Sequence, residues 1–415
     1  MVARCGISKT PTLGVFARDP RLAIIQRKNY AMGIIHTAKH MNESYQPEAQ
    51  SDRIVVKNRG EATVKILEIF RHEQEKNYST LDFHNEKHPE AVRSAALEFA
   101  KIIMRSDPSL VTKDTLADIV NSAASHDSVL NVAHGEMITR FRGYFDADAP
   151  PAVRAAMTKH GITKGNERLS AEWLERELDR YVGADGNPVF DASSRAEMMD
   201  AIAATFPEFN FMATISDEDL ARHFSEYADE NNLEKYRTGI KVWQPHLGPE
   251  SSMTALAVAT GDLRGEAASN NYEDYFRSGN AEFRELNEGL RLALEHGAEA
   301  IPLQKKIKIA DSMLRWVKAQ VTFAMWQKIL FWKSVDANRL ITESPKVGEI
   351  KNALKERYNT AFDTNILKAK ERYERIAESD GDGDERAQRL ANIADADFQE
   401  LLGELGFSHS TEKRA

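Results

Sequence analysis

The chain has 415 residues, long enough for one large domain or two ordinary ones. Hydrophobic residues make up 42% and aromatics 8%, enough for a sizeable core and too many for a chain disordered throughout. Net charge is −9, which argues against a non-specific nucleic-acid grip, and the single cysteine, Cys5, excludes an internal disulfide framework.

The first 25 residues are interrupted by Arg4, Lys9, Arg18 and Asp19 and lack the apolar core of a signal peptide. No uncharged apolar run approaches the ~20 residues of a membrane span. The nearest, 319–327, is bracketed by Lys318 and Lys328. A soluble, cytoplasmic protein that makes no membrane contact is the expectation.

Residues 1–52 are weakly patterned, and RIVVK at 53–57 reads as a short strand or a helix lead-in. From Glu61 the apolar spacing becomes helical, through Val64, Leu67 and Ile69–Phe70. A turn at 78–82 leads into LDFHNEKHPEAV, which sets His84 and His88 four residues apart with Asn85 between them. Pro89 suits a first helical turn, and Val92, Ala95–Ala96, Phe99 and Ile102–Ile103 make an apolar stripe. Thr112 can cap the next helix, whose small-residue end, SAAS, runs into His126–Asp127. Residues 165–178 read as a further helix. A capping-box pattern from Ser216 to Asp219 opens a helix expected over 216–231. The loop WQPHLGP precedes a helix at 253–259 that presents Asp262 at or near its end, and 272–294 reads as one long helix. Beyond Pro302 come a tryptophan-rich helix with Trp316, Trp326 and Trp332, read as core or as a partner surface, and a charged helical stretch at 347–378. SDGDGD at 379–384 is a linker before a last helix at 386–405. It does not fit a calcium loop, because Glu385 and Ala391 stand where Gly and Glu are needed. The class expected is all-α, with segments 1–52, 53–300, 301–378 and 379–415.

His88, His126, Asp127 and Asp262 would supply two imidazoles and two carboxylates to a divalent metal. That set suits an ion whose task is to lower a water's pKa and neutralise phosphate charge. In a two-metal arrangement Asp127 would bridge. His84, one turn before His88, is either a further ligand or a proton donor to a leaving oxygen. Lys87 and Arg264 flank these residues and could meet phosphate. His134, His160, His223, His246 and His296 read as ordinary surface or core histidines; His246, in the loop before the Asp262 helix, is the one to watch.

FHNEKH, then HD 38 residues after His88 (126 − 88 = 38), then Asp262 in GDLRGEA resemble the HD-domain superfamily of metal-dependent phosphohydrolases. FHNEKH is similar to the YHN-x-x-H signature of cyclic-nucleotide phosphodiesterases and of a group of bacterial predicted HD phosphohydrolases. NERLSA at 166–171 resembles that group's NE-x-x-SA segment. The resemblance covers about 53–294. It implies a phosphodiesterase-like helical bundle with a helical C-terminal extension that packs on it or forms homo-oligomers. His88, His126, Asp127 and Asp262 would be metal ligands and His84 the proton donor, with Glu167 and Asn85 standing behind them. Phe83 replaces the usual Tyr, Gly261 the usual Ala, and Ser-Val-Leu-Asn follows the HD in place of the animal enzymes' His-Pro-Gly. The implied reaction is hydrolysis of a phosphoester, of a nucleotide first and most sharply of a 3′,5′-cyclic nucleotide, by metal-activated water. The metal (Zn, Mn, Fe, Mg or Ni, one ion or two) is left open. A deoxynucleotide triphosphohydrolase and a non-catalytic metal- or nucleotide-binding helical module with a partner-binding C-terminal half are the other readings.

Overall fold

The computed structural model describes residues 53–79, 81–130, 149–162, 166–287 and 301–378, with Leu290, Leu294 and Gly403. Cys5, His134, His296, the linker at 379–384 and nearly all of the helix expected at 386–405 lie outside the described residues. All the described residues except Leu130 belong to one compact unit, 50–129 with 148–415.

Helices carry the fold, and their ends are set by local chemistry. Strand β1 (Ile54–Val55) leads into α1 (Arg59–Tyr78), where the Asn58 side chain accepts from the Glu61 N–H. Helix α2 (Lys87–Ser106) has Pro89 in its first turn and buries Val92, Ala96, Phe99 and Ile103 along one face. Thr112 and Thr115 form a reciprocal cap on α3 (Lys113–Ser125). Next come α4 (Pro151–His160), α5 (Asn166–Leu178), strand β2 (Tyr181–Val182, parallel to β1) and α6 (Ala192–Ala204). Strand β3 (Glu208–Thr214) then pairs antiparallel with β4 (Thr238–Trp243), enclosing α7 (Asp217–Phe224). The Ser216 cap on α7 is present, but the helix stops at Phe224, short of the expected 231. The chain instead turns through Asn232 in the left-handed region (φ 50°) into a 3-10 turn, Leu233–Tyr236.

Helix α8 (Met253–Ala259) runs straight on into a π-helical turn, Thr260–Arg264, and a last turn, Gly265–Ala267. Asp262 therefore lies inside a distorted helix and not at its end. Helix α9 (Tyr272–Leu286) is shorter than expected and is followed by Asn287 outside helical dihedrals. The long helices α10 (Leu303–Ala337) and α11 (Val347–Glu378) complete the described chain. With two small two-stranded sheets and all other regular structure helical, the described chain is all-α. No helix among the described residues is long and apolar enough to cross a membrane.

The main core runs from Val92 and Phe99 on α2 to Phe331 on α10 and Tyr358 and Phe362 on α11, where the rings of Phe331 and Tyr358 lie 4.8 Å apart. The tryptophan-rich helix is thus core: Met325, Trp326, Ile329 and Phe331 are buried in the same cluster as α2 and α8. The segment 301–378 shares one core with the helices that bear the candidate ligands.

Gly261 decides how close those helices come. A Cβ there would lie 2.5 Å from the Val92 carbonyl and 3.0 Å from Ala96 Cβ, and one on Gly265 would meet Ala95 Cβ at 2.6 Å. Both collisions are with the buried face of α2, which cannot move aside without disturbing the core. Gly261→Ala is expected to destabilise the protein by about 1–3 kcal/mol and to shift Asp262 away from His88. Thermal unfolding and metal titration would check this; an unchanged midpoint would mean that α2 yields.

Candidate metal centre

Three separate stretches deliver the site. His88 sits on the first turn of α2, with its approach shaped by Asn85: the amide donates to the Leu81 and Asp82 carbonyls, and its oxygen accepts from the Lys87 N–H. Asn85 thus closes the turn through backbone groups, where the expectation had it behind the ligands. His126 and Asp127 follow α3, whose end is packed through small side chains. Ser122, Ala123 and Ser125 are fully buried, Ser125 Oγ donates to the Asn121 carbonyl, and Gln74 on α1 donates to the Ala124 carbonyl. Asp262 comes from the π-turn after α8, held against Val92 and Ala96 by Gly261. Such turns concentrate at functional sites because they re-aim one side chain.

The ligand atoms converge. His88, His126 and Asp262 each bring one within 4.8 Å of the others, a group that could hold a metal ion. Asp127 Oδ2 lies 3.2 Å from His126 Nε2 and 3.4 Å from His88 Nε2, and Asp262 Oδ1 lies 3.5 and 3.8 Å from the same two nitrogens. The far side of each residue is engaged. His126 Nδ1 donates to the Ala123 carbonyl at 2.8 Å, which fixes the ring with Nε2 pointing at the carboxylates. His88 Nδ1 faces Glu266 Oε1 at 3.6 Å, and Ser278 Oγ donates to that carboxylate oxygen. Asp127 Oδ1 accepts from Asn166 Nδ2, and Asp262 Oδ2 from Gln244 Nε2.

His126 is 1% exposed and its Nε2 has no hydrogen-bond partner. His88, His126 and Asp262 could hold a divalent ion, since imidazole and carboxylate donors suit one, and Asp127 stands beside that group. The proton affinities agree. Burial would lower His88, but the hydrogen bonds with Asp127 and Glu266 outweigh it and push the imidazole up to about 9. Burial also opposes a charged His126, yet the Asp127 charge holds it well above the ordinary value. Burial would raise Asp127, but His126 keeps it well below the carboxylate range. Without a cation the cluster thus takes up protons in its place.

Those protons must leave when a cation enters. Affinity for Mn²⁺ is therefore expected to weaken as pH falls from about 8 to about 6, by about tenfold per pH unit for each proton displaced. Calorimetric titration in buffers of different ionisation enthalpy would read the released protons; a pH-independent affinity would count against these ligands.

His84 stands to one side. Its Nδ1 donates to Glu285 Oε1 at 2.5 Å, while Glu285 Oε2 accepts from the Phe83 and His84 backbone N–H groups at 3.0 Å. Its ring centroid is 5.6 Å from that of His88, and the side chain is 24% exposed, more than any of the four ligands. Burial would lower its pKa, but Glu285 first and Asp127 next raise it above the ordinary value. Glu167 on α5 is buried and its Oε2 has no partner; burial pushes it up to about 7, with the charges of Asp127 and Asp262 adding to the rise. It lies close enough to feel the cluster electrostatically, while its neighbour Asn166 makes the direct contact.

One expectation changes. Arg264 cannot meet phosphate: it is 2% exposed and donates to Gln244 Oε1, the Ala259 carbonyl and Ser334 Oγ. His246 is an ordinary histidine away from the cluster, its ring tilted against that of His160 with centroids 4.7 Å apart, and Gln244, two residues earlier in the same loop, is the residue that reaches Asp262. Lys87 is exposed one residue before His88. Sequence reasoning missed Glu285, Glu266, Asn166 and Gln244. Glu266 had a local signal, four residues after Asp262, and Asn166 begins the NERLSA segment. Glu285 had none, being 201 residues from His84.

No family model matches the chain, and no curated protein or solved structure matches it significantly.

Proposed function

We propose that this protein is a metal-dependent phosphohydrolase that cleaves the phosphoester of a nucleotide. The observation that carries the reading is the convergence of ligand atoms from His88, His126 and Asp262 within 4.8 Å of one another, with the buried His126 Nε2 3.2 Å from Asp127. Helix packing brings these four residues together from positions 174 apart at the extremes (262 − 88 = 174). A divalent ion bound there would lower the pKa of a water and offset phosphoryl charge.

The chain's own residues supply the rest. Asn166 and Gln244 each hold one oxygen of a carboxylate and so leave the other for the ion. Glu285 engages His84 Nδ1 and leaves Nε2 as the atom that can give a proton to a leaving oxygen. Glu167, pushed towards neutrality, can accept or release a proton near Asp127 and Asp262. The test is turnover of bis(p-nitrophenyl) phosphate and a panel of cyclic and linear nucleotides by Mn²⁺-, Co²⁺- and Zn²⁺-loaded protein. Turnover that needs metal supports the reading; metal-loaded protein inert on the whole panel would favour a binding module. Release of tripolyphosphate from a deoxynucleoside triphosphate would identify a triphosphohydrolase.

A further inference from the structure

We propose that Gln244 and Arg264 are positioning residues for Asp262: a buried guanidinium fixes an amide, and the amide fixes the carboxylate that faces the cation. The inference rests on the metal-centre reading and extends it to the helix α10.

Arg264 is among the largest fully buried side chains of the chain. It donates to neutral oxygens: Gln244 Oε1 at 2.6 Å, the Ala259 carbonyl at 3.2 Å and Ser334 Oγ at 3.3 Å. A buried cation without a touching anion is expensive, and an apolar side chain of the same volume would serve the core better. Stability alone does not account for it. The opposite charge that acts on it is Asp262, two residues away, and Gln244 stands between them.

Gln244 is itself 4% exposed. An amide in a pocket can be turned either way, but its oxygen must face the guanidinium, which has no acceptor. That leaves Nε2 to donate to Asp262 Oδ2 at 3.0 Å. Asp262 Oδ1 is then the free oxygen, 3.5 Å from His126 Nε2 and 3.8 Å from His88 Nε2. The interposed amide has a chemical advantage over direct contact. Arginine paired with Asp262 would neutralise the carboxylate and compete with the ion for it. A neutral donor orients the group and leaves its charge for the cation, while the guanidinium one bond further out keeps it ionised. Ser334 lies on α10, so the C-terminal half of the chain supports the ligand that arrives last in sequence.

The test is Co²⁺ binding, read by affinity and by the visible d–d spectrum, alongside thermal unfolding of the metal-free protein. Gln244→Met keeps the volume and removes the donor; it is expected to weaken Co²⁺ binding by about 10–100-fold and to change the spectrum. Arg264→Met should act in the same direction. Because the guanidinium works through the amide, the double variant should bind no more weakly than Gln244→Met alone. A Gln244→Met protein with the wild-type affinity and spectrum overturns the proposal, and fully additive losses overturn the relay. Should Gln244→Met fail to fold, Arg264→Met carries the test by the same readout. Wild-type protein that binds no Co²⁺ would instead overturn the metal centre, and this proposal with it.

Discussion

His126→Ala is expected to leave a folded protein that holds no divalent ion and hydrolyses phosphodiesters at least about 10²–10³-fold more slowly, the several kcal/mol that a catalytic ion supplies. The fold should survive because the end of α3 does not depend on the imidazole. Gln74 still holds the Ala124 carbonyl, Tyr78 the Ser128 carbonyl, and Ser125 the Asn121 carbonyl. Binding should not survive, because His126 Nε2 is the one ligand nitrogen close to both Asp127 and Asp262 whose ring is fully enclosed. Asp127→Asn, which keeps the shape and its contact with Asn166, should lose the ion through charge alone. Metal analysis with turnover reads both variants. Full metal content and full activity in either would reject the site. Lost metal in a protein whose wild type turns over nothing would point to the ion as a structural or sensing element.

His84→Ala is expected to behave differently, keeping the ion and losing rate by about 10²–10⁴-fold, the usual worth of a placed general acid. The difference follows from geometry: Glu285, and not the cluster, holds His84 Nδ1. The pH dependence carries a second signature. A proton donor must be protonated, so the rate should fall as pH rises through the pKa of His84, which Glu285 raises above the ordinary 6.5. Glu285→Gln removes that support and should move the falling limb to lower pH. The pair also contributes to stability in a defined window. Its His84 part is present below the ordinary histidine value and is lost as pH rises through the raised one. Its Glu285 part is present above the ordinary carboxylate value and is lost as pH falls through the lowered one. A pH–rate profile on wild type and Glu285→Gln, with metal content measured on His84→Ala, tests this. Loss of metal from His84→Ala would make His84 a ligand after all.

The strands show how local patterning can mislead. FNF at 209–211 alternates as a strand should, yet Phe209 and Phe211 are both exposed and only Ala213 on β3 is buried. The apolar alternation that normally marks a core face is here turned outward. Helix α9 ends at Leu286 although the apolar spacing continues to Leu294, because periodicity reports which residues can share a face and not where the backbone leaves helical dihedrals.

What the sequence determined alone was the helical class, and it picked out His88, His126 and Asp262, which the fold brings together as a group that could hold a metal ion. Apolar residues at three- and four-residue spacing require helices. The caps at Thr112 and Ser216 were equally legible, since a cap is a contact between residues three apart. Only the tertiary structure decided the partners behind the ligands. Glu285 reaches His84 across 201 residues, Asn166 reaches Asp127 across 39 and Gln244 reaches Asp262 across 18. It also turned Arg264 from a surface phosphate contact into a buried support and drew the 301–378 segment into the common core. The physical reason is one and the same: a side chain's chemical type is set by its codon, but the group it meets is set by helix packing, and at Gly261 that packing turns on the absence of a single Cβ.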